Sequence, residues 1–209
     1  MKKCVRVYVE GGSTGKTADS DFRRGWKKFL NELHELAMKN GYHSLEIVRG
    51  RGRSNTFRSF TNYKAKYPND LCVILVDSEM AVPSGTRVWD VVGSRKGDGW
   101  KCPSWATEEH LYLMVNFVET WIVSDHKALQ EFFSRGFNPK PLPTTNLEDR
   151  SKSDIEQALK RATKDTSKGP YRHGQAHEII EFVSPNNVRT LFHGNRLFDS
   201  LSDLIKSKP

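Results

Sequence analysis

The sequence predicts an α/β fold with a mostly parallel sheet flanked by helices and a small C-terminal helical elaboration. Three observations predict it: a β-branched strand at 4–10, an unbroken apolar run at 71–76, and helical apolar spacing between them. The order strand–helix–strand–helix–strand implies parallel pairing through right-handed crossovers. We expect residues 1–135 to form the α/β core and residues 136–209 to pack on it as a helical extension, within one compact unit.

The first half of the chain supplies most of the expected sheet. A strand at 4–10 precedes a helix at 19–40, which carries one apolar stripe at helical spacing. A second strand at 45–48 is followed by a helix that Ser54 is placed to cap. The run at 71–76 is apolar throughout, as expected of a strand that is covered on both faces.

The second half is expected to be largely helical. Residues 80–109 contain Gly, Pro, Lys and Trp in irregular order, which is typical of a long loop. A buried strand is expected at 111–115, a helix at 119–133 and a proline-rich connector at 136–146. Further helices are expected near 153–163, 175–183 and 197–207.

The net charge of +8 is concentrated in one part of the sequence. Residues 1–70 contain 15 Lys/Arg and 7 Asp/Glu, whereas residues 71–209 contain 18 of each. This asymmetry favours a polyanionic partner, although a solvated basic face is an equally common explanation. No apolar run approaches the roughly 18 residues of a membrane helix, and Cys4, Cys72 and Cys102 are too widely spaced for a CxxC metal site. We therefore expect a cytoplasmic protein with reduced thiols and no membrane partner.

Acidic residues follow two of the predicted strands. Glu10 ends the first strand, and Asp77 and Glu79 follow the third, two residues apart. Because parallel strands end at one edge of a sheet, these side chains should meet there. Extended geometry would place Asp77 and Glu79 on the same side, where a hard cation would relieve the repulsion among the carboxylates. An all-oxygen ligand set favours Mg²⁺ or Mn²⁺, whereas each residue taken singly is more often a cap.

Residues 11–17, Gly-Gly-Ser-Thr-Gly-Lys-Thr, look like a phosphate-binding P-loop that follows a strand. That motif requires a glycine where this chain has Glu10, and a carboxylate at that position would oppose the phosphates. A P-loop NTPase that uses Lys16 is therefore an alternative to the metal-site hypothesis.

Several short stretches together resemble a known family; they are 9–12, 52–53, 75–79, 98–100, 113–115, 119–125 and 168–169 with Tyr171. In chain order they resemble Toprim-like proteins, and more closely an uncharacterised bacterial group, the RloG-like family or domain-of-unknown-function family 4276. The resemblance implies a Toprim-like fold, a divalent metal and, often, a neighbouring ATPase gene in mobile-element or phage-defence loci. Two positions depart from the pattern: the Toprim DxD is DxE here, and the second acidic residue of some relatives' glutamate–glycine loop is absent.

Other charged residues are candidates for the same edge. Glu119 begins a predicted helix, where its carboxylate would join the metal cluster or complement the helix dipole. Arg49, Arg51 and Arg53 are placed to clamp a phosphate, with Arg53 the best single candidate and Lys16 the second. A solvated loop is an equal alternative for these basic residues.

Five residues are not assigned to the site. Trp100 and Trp105 could stack on a nucleic-acid base, but core packing is favoured. His173 and His177 have the i, i+4 spacing of helical metal ligands, but a glycine between them weakens the helix. Asp125 lies on the helix turned away from the expected cluster, which favours a structural role.

These inferences lead to three hypotheses. The leading one is a Toprim-type, Mg²⁺-dependent nuclease acting on DNA or RNA, with Glu10, Asp77 and Glu79 as catalytic and metal-binding residues. The second is a non-catalytic or partner-activated subunit of an ATPase complex. The third is the P-loop-like NTPase.

Overall fold

A four-stranded parallel sheet, in the order β2-β1-β3-β4, forms the centre of the part of the chain that the structure describes. The computed structural model describes residues 3–11 and 16–207, apart from the side chains of residues 16–18. The predicted α/β class and the parallel pairing are confirmed. The strands are β1 (Cys4–Val9), β2 (Ser44–Arg49), β3 (Leu71–Asp77) and β4 (Leu111–Met114).

Helices cover both faces of the sheet. Among the described residues, none of the helices is long and apolar enough to span a membrane, and the three cysteines are free. The helices are α1 (Lys16–Phe29), α2 (Asn31–Lys39), α3 (Arg53–Lys66), α4 (Val88–Ser94), α5 (Val118–Val123), α6 (His126–Phe133), α7 (Lys152–Thr163), α8 (Ala176–Ile179), α9 (Pro185–Val188) and α10 (Phe192–Ser207).

The alternation of side chains along β3 builds two apolar cores. Val73 and Leu75 face a large core that α1, α2 and the helices of the second half complete. Cys72, Ile74 and Val76 face a smaller core that is completed by α3 and α4. Because both faces are covered, every residue of the strand except Asp77 is buried.

The helical elaboration contributes directly to the larger core. The ring of Phe198 in α10 lies 5.5 Å from the ring of Phe29 in α1. Helix α10 also packs against α2 and β4, and Arg196 Nη1 donates to the carbonyl oxygen of Leu111 at 2.8 Å. The second half of the chain therefore covers one face of the sheet.

Two long helices of the sequence prediction are wrong, because each is broken by one residue that leaves helical geometry. The helix expected at 19–40 is divided at Leu30, which has φ −97° and ψ 18°. The helix expected at 119–133 is divided near Asp125, whose side chain caps α6. The apolar spacing continues across both breaks, so periodicity alone could not reveal them.

The expected loop at 80–109 contains a helix, and the expected cap of α3 is wrong. Helix α4 forms because its apolar residues, including Trp89 and Val92, are buried in the smaller core. Helix α3 begins at Arg53, one residue before Ser54, and its N-cap is Gly52, which has no side chain to accept a hydrogen bond.

Candidate functional site

The carboxyl ends of β1 and β3 lie side by side at the point where the strand order reverses. Strand β2 lies on one side of β1, whereas β3 and β4 lie on the other. Ligands of open α/β sheets bind in the crevice at such a point. The backbone N–H of Glu10 donates to Leu75 at 2.9 Å, and Asp77 is the last residue of β3. The sheet thus brings Glu10 and Asp77 together, as the sequence predicted.

All four carboxylates named from the sequence line one cleft of about 340 Å³ at this edge. Three further polar side chains, which come from the second half of the chain, line the same cleft. The carboxylates are those of Glu10, Asp77, Glu79 and Glu119, and the additional side chains are Lys152, His173 and His177.

Glu79 reaches the cleft by a different geometry from the one expected. Extended backbone was expected after Asp77, but the φ of Glu79, 68°, lies in the left-handed region. Two backbone hydrogen bonds hold the chain in this conformation. The N–H of Ser78 donates to the carbonyl oxygen of Met114 at 3.0 Å, and the N–H of Glu79 donates to the carbonyl oxygen of Asn116 at 2.9 Å. A left-handed conformation at a non-glycine residue is unfavourable, and such residues concentrate at functional sites.

The cleft disfavours negative charge on two of its carboxylates. Burial, reinforced by the neighbouring charges of Glu10 and Glu119, raises the pKa of Asp77 well above its ordinary value. Burial and the charge of Glu79 raise the pKa of Glu10, against the opposing effect of Arg53. Asp77 Oδ1 accepts one hydrogen bond, from the backbone N–H of Val118 at 3.0 Å.

Arg53, the preferred phosphate clamp of the sequence analysis, serves as an internal counterion of this edge. Its Nη1 lies 2.9 Å from Glu10 Oε2, and its Nε donates to Asp98 Oδ2 at 2.6 Å. It also donates to the carbonyl oxygen of Asp77, and its guanidinium lies 4.9 Å from the ring centroid of Trp100. The side chain is only 10% exposed. Its Nε and Nη1 are bonded inside the protein, whereas its Nη2 is buried and has no hydrogen-bond partner among the described residues.

Lys152, which was not predicted as a site residue from the sequence, is the counterion of Glu79. Its Nζ lies 2.5 Å from Glu79 Oε2 and 4.9 Å from the ring centroid of Phe117. Lys152 is the first residue of α7, 73 positions after Glu79. The sequence contains no local pattern that connects these two residues, because long-range packing brings them together.

Glu119 is almost completely buried and is held by two residues of the segment 171–173. The hydroxyl of Tyr171 donates to Glu119 Oε1 at 2.6 Å, and Nδ1 of His173 lies 3.3 Å from the same oxygen. Burial alone would raise the pKa of Glu119, but the hydrogen bonds from His173 and Tyr171 outweigh it and lower the pKa. Its Oε2 is buried and has no hydrogen-bond partner among the described residues.

His173 and His177 are not a helical pair of metal ligands. Helix α8 begins at Ala176, and Gly174 has φ 98°, so the two histidines lie on different local structures. Burial lowers the pKa of His177 to about 4, which keeps its ring neutral at pH 7. The indole N–H of Trp26 donates to His177 Nδ1 at 3.3 Å, so this ring is anchored in the core.

The other basic candidates lie away from the carboxylates. Arg49 and Arg51 both pair with Asp19, and the three line a separate cavity of about 720 Å³ along the edge strand β2. That cavity is larger than the cleft, but it contains none of the four carboxylates. The side chain of Lys16 lies outside the described residues, as do residues 12–15 of the loop that resembles a P-loop.

The predicted core role of Trp100 is confirmed. Its ring stacks on Phe57 with centroids 4.4 Å apart and planes 7° from parallel. Trp105 packs beside Phe60 at 5.0 Å. Asp125 has the structural role expected of it, since its Oδ1 accepts from two backbone N–H groups at the start of α6.

The residues of the cleft fit a divalent cation in chemistry but not in their present arrangement. The orphaned Glu119 Oε2 and the unfavourable charge of Asp77 are both features that a cation would relieve. The oxygen donors suit Mg²⁺ or Mn²⁺. Yet no group of three or more His, Cys, Asp or Glu side chains in the described part of the chain is arranged to hold a metal ion. The pairs Arg53–Glu10 and Lys152–Glu79 occupy part of the donor set.

In metal-free protein, Asp77→Asn is expected to increase the free energy of unfolding at pH 8 by about 0.5–2 kcal/mol, the usual range for a stabilising substitution. The folded-state pKa of Asp77 is raised above its unfolded value, so ionisation of Asp77 costs stability above the unfolded pKa of about 3.9 and costs none below it. Asparagine keeps the acceptor for Val118 without the charge. Urea denaturation in EDTA at pH 8 and at pH 4 measures the gain, most of which should be lost at pH 4, close to the unfolded pKa.

The control for this prediction is Asp165→Asn. The side chain of Asp165 is 71% exposed, so its replacement should change stability by less than about 0.5 kcal/mol at either pH. A gain for Asp77→Asn of equal size at pH 8 and pH 4 would show that relief of charge is not its cause.

The fold and the cleft define an α/β protein with a parallel sheet and an acidic site at the carboxyl ends of its central strands. The family model described as Domain of unknown function (DUF4276) matches residues 9–201, and the chain belongs to that family. The match includes all four carboxylates of the cleft together with Lys152, Tyr171 and His173. No curated protein and no solved structure matches the chain.

Proposed function

We propose that this protein is a Toprim-type, divalent-metal-dependent nuclease that cleaves phosphodiester bonds in nucleic acid. The observation that carries the proposal is the convergence of Glu10, Asp77, Glu79 and Glu119 on one cleft at the switch point of a parallel sheet. These residues come from three separate places in the sequence, and burial with like charges nearby makes the charged form of Asp77 unfavourable. Unfavourable arrangements of this kind concentrate at functional sites.

Asp77, Glu79, Glu10 and Glu119 are the residues that would hold Mg²⁺ or Mn²⁺. Such an ion would polarise a phosphoryl oxygen and would lower the pKa of a bound water. The carboxylate of Glu10, whose raised pKa brings it closer to neutral pH, serves as the general base or acid of the reaction. Arg53 orients Glu10 through its Oε2, and the N–H of Asp77 donates to the same oxygen at 3.3 Å.

A polyanionic substrate agrees with the charge distribution of the chain. The net charge of +8 lies within residues 1–70, which also contribute Glu10 to the cleft. Attraction of phosphates to such a surface depends on counterion release, so binding should weaken steeply as salt concentration rises. The Toprim relationship, which rests on the motif resemblance, supports the same substrate class.

The test is cleavage of single-stranded and duplex DNA, RNA and tRNA with Mg²⁺ or Mn²⁺, by wild type, Glu10→Gln and Asp77→Asn. Loss of a general base or of a metal ligand should lower the rate by about 10²–10⁴-fold. Binding of Mn²⁺, measured by calorimetry on the same proteins, should weaken in Asp77→Asn.

Matched controls are Glu178→Gln and Asp165→Asn, which make the same chemical changes at exposed positions. Both should cleave at the wild-type rate. If Glu10→Gln and Asp77→Asn also cleave at that rate, the cleft is not the site of the reaction.

A second candidate is a subunit that becomes active, or acts without catalysis, in complex with an ATPase. One observation favours it: Glu10 is paired with Arg53 and Glu79 with Lys152, and in the described residues the carboxylates are not arranged around an ion. A partner that draws Lys152 away would free Glu79. Co-purification with the protein encoded beside it, followed by the same cleavage assay, distinguishes the candidates, because activity would appear in the complex alone.

A further inference from the structure

The second half of the chain, which has no net charge, contains a concentrated basic surface. The end of α7 and the segment that follows it line a cavity of about 580 Å³. Five of its lining residues are cationic and none is acidic, and all five are exposed. We call this cavity the basic pocket, and its cations are Lys160, Arg161, Lys164, Lys168 and Arg172.

The positive charge of the basic pocket is weakly neutralised. Lys160 lies 3.9 Å from Glu156, and Lys164 lies 3.8 Å from Asp165. Exposed pairs at such distances are worth little and exchange readily with other anions. Among the described residues, Arg161 and Arg172 form no ion pair with a carboxylate, so both guanidinium groups are available for recognition.

The basic pocket and the carboxylate cleft share one wall. Tyr171 lines the basic pocket, and its hydroxyl donates to Glu119 of the cleft. Two residues later, His173 lines the cleft itself. The segment between them is fixed, because the N–H of Tyr171 donates to Thr163 Oγ1 at 2.7 Å and Thr166 Oγ1 donates to Gly169 at 3.0 Å.

We propose that the basic pocket binds the phosphate backbone of a nucleic-acid strand and positions the adjoining phosphodiester at the carboxylate cleft. This inference rests on the proposed function and extends it by naming the surface that holds the substrate. The pocket is too large for one phosphate group, and its two arginines offer the planar fork that pairs with phosphate oxygens. Such contacts are independent of base sequence, so they fix the register of the strand without selecting a sequence.

The test is binding of a fluorescently labelled single-stranded oligonucleotide in EDTA, where cleavage does not occur. The triple variant Arg161→Gln/Lys168→Gln/Arg172→Gln removes three positive charges from the basic pocket. Its affinity should be at least about tenfold lower than that of the wild type, and the slope of log K against log salt should fall by about 2 for three lost contacts to a single strand. The control Lys96→Gln/Lys101→Gln/Lys127→Gln removes three charges from exposed positions outside the pocket and should bind like wild type.

Equal affinity of the wild type and the pocket variant, including no affinity in either, overturns the inference. So does preferential binding of polyglutamate of the same charge, which would identify an acidic protein partner. Thermal unfolding checks that both triple variants fold. The binding assay contains no metal, so its result does not depend on the proposed metal chemistry. A variant such as Asp77→Asn that loses cleavage but still binds the oligonucleotide tests the carboxylate cleft and not the basic pocket.

Discussion

Replacing Arg53 with methionine is expected to lower the free energy of unfolding by about 3–5 kcal/mol, the usual cost of removing one partner from a buried ion pair. The substitution preserves much of the side-chain volume but leaves Glu10 and Asp98 without their shared counterion. The side chain of Asp98 is only 2% exposed, so water cannot replace the lost partner, although Arg95 still contacts it at 3.0 Å. The carbonyl oxygen of Asp77 also loses a donor.

Urea denaturation at pH 7 measures this effect, and Arg58→Met is its matched control. Arg58 is exposed on the same helix, and its guanidinium bonds Asn55 at 2.7 Å, so its loss should cost less than about 0.5 kcal/mol. Arg53→Lys should give an intermediate loss, because an ammonium group retains the charge but not the planar fork. A loss below about 1 kcal/mol for Arg53→Met would mean that the acidic edge is stable without this cation.

Replacing Asp125 with alanine is expected to cost about 2–4 kcal/mol, since three backbone N–H groups lose their acceptor at once. Asp125 Oδ1 accepts from Lys127 and Ala128 at 3.1 Å each, which caps α6. Asp125 Oδ2 accepts from Ser184 at 2.8 Å, which ties the start of α9 to the same side chain. The residue is 4% exposed, so water has little access to the freed donors.

Two further variants separate these contributions. Ser151→Ala removes a single capping bond, to Asp154 at 3.1 Å, at an exposed helix start, and should cost about 1 kcal/mol. Asp125→Asn retains a capping oxygen but presents an amide group to the N–H of Ser184. Its decrease in the free energy of unfolding should therefore lie between the decreases for the two alanine variants. If Asp125→Ala costs no more than Ser151→Ala in urea denaturation, the bond to Ser184 contributes nothing.

The sequence predicted the parts of the site that depend on local pattern and on strand direction. Apolar runs located the strands, and the rule that parallel strands end together placed Glu10 beside Asp77. Lys152 and His173 were not predicted as partners of Glu79 and Glu119, because only the packing of distant segments brings them near. The spacing of apolar residues along the sequence does not indicate which distant side chains will become neighbours.

The role of Arg53 shows a second limit of sequence reasoning. An arginine-rich segment after a strand favours a phosphate clamp, and the segment does lie at the expected edge of the sheet. Whether a guanidinium faces solvent or a neighbouring carboxylate depends on burial, and the partner Asp98 lies 45 residues further along the chain. The same limit applies to Arg49 and Arg51. Both pair with Asp19, which lies outside the carboxylate cleft, and the sequence did not predict that partner.

The packing of α10 against β4 bears on how the chain is made. A ribosome has already translated all four carboxylates when it reaches residue 119, but Lys152, His173 and α10 are synthesised later. The nascent polypeptide therefore exposes an uncovered apolar sheet face and an acidic cluster that lacks two of its basic partners. Residue 177 is the last that lines the cleft, whereas α10 supplies cover for β4 and α2. Products that stop before α10 therefore keep an exposed apolar surface and are candidates for degradation.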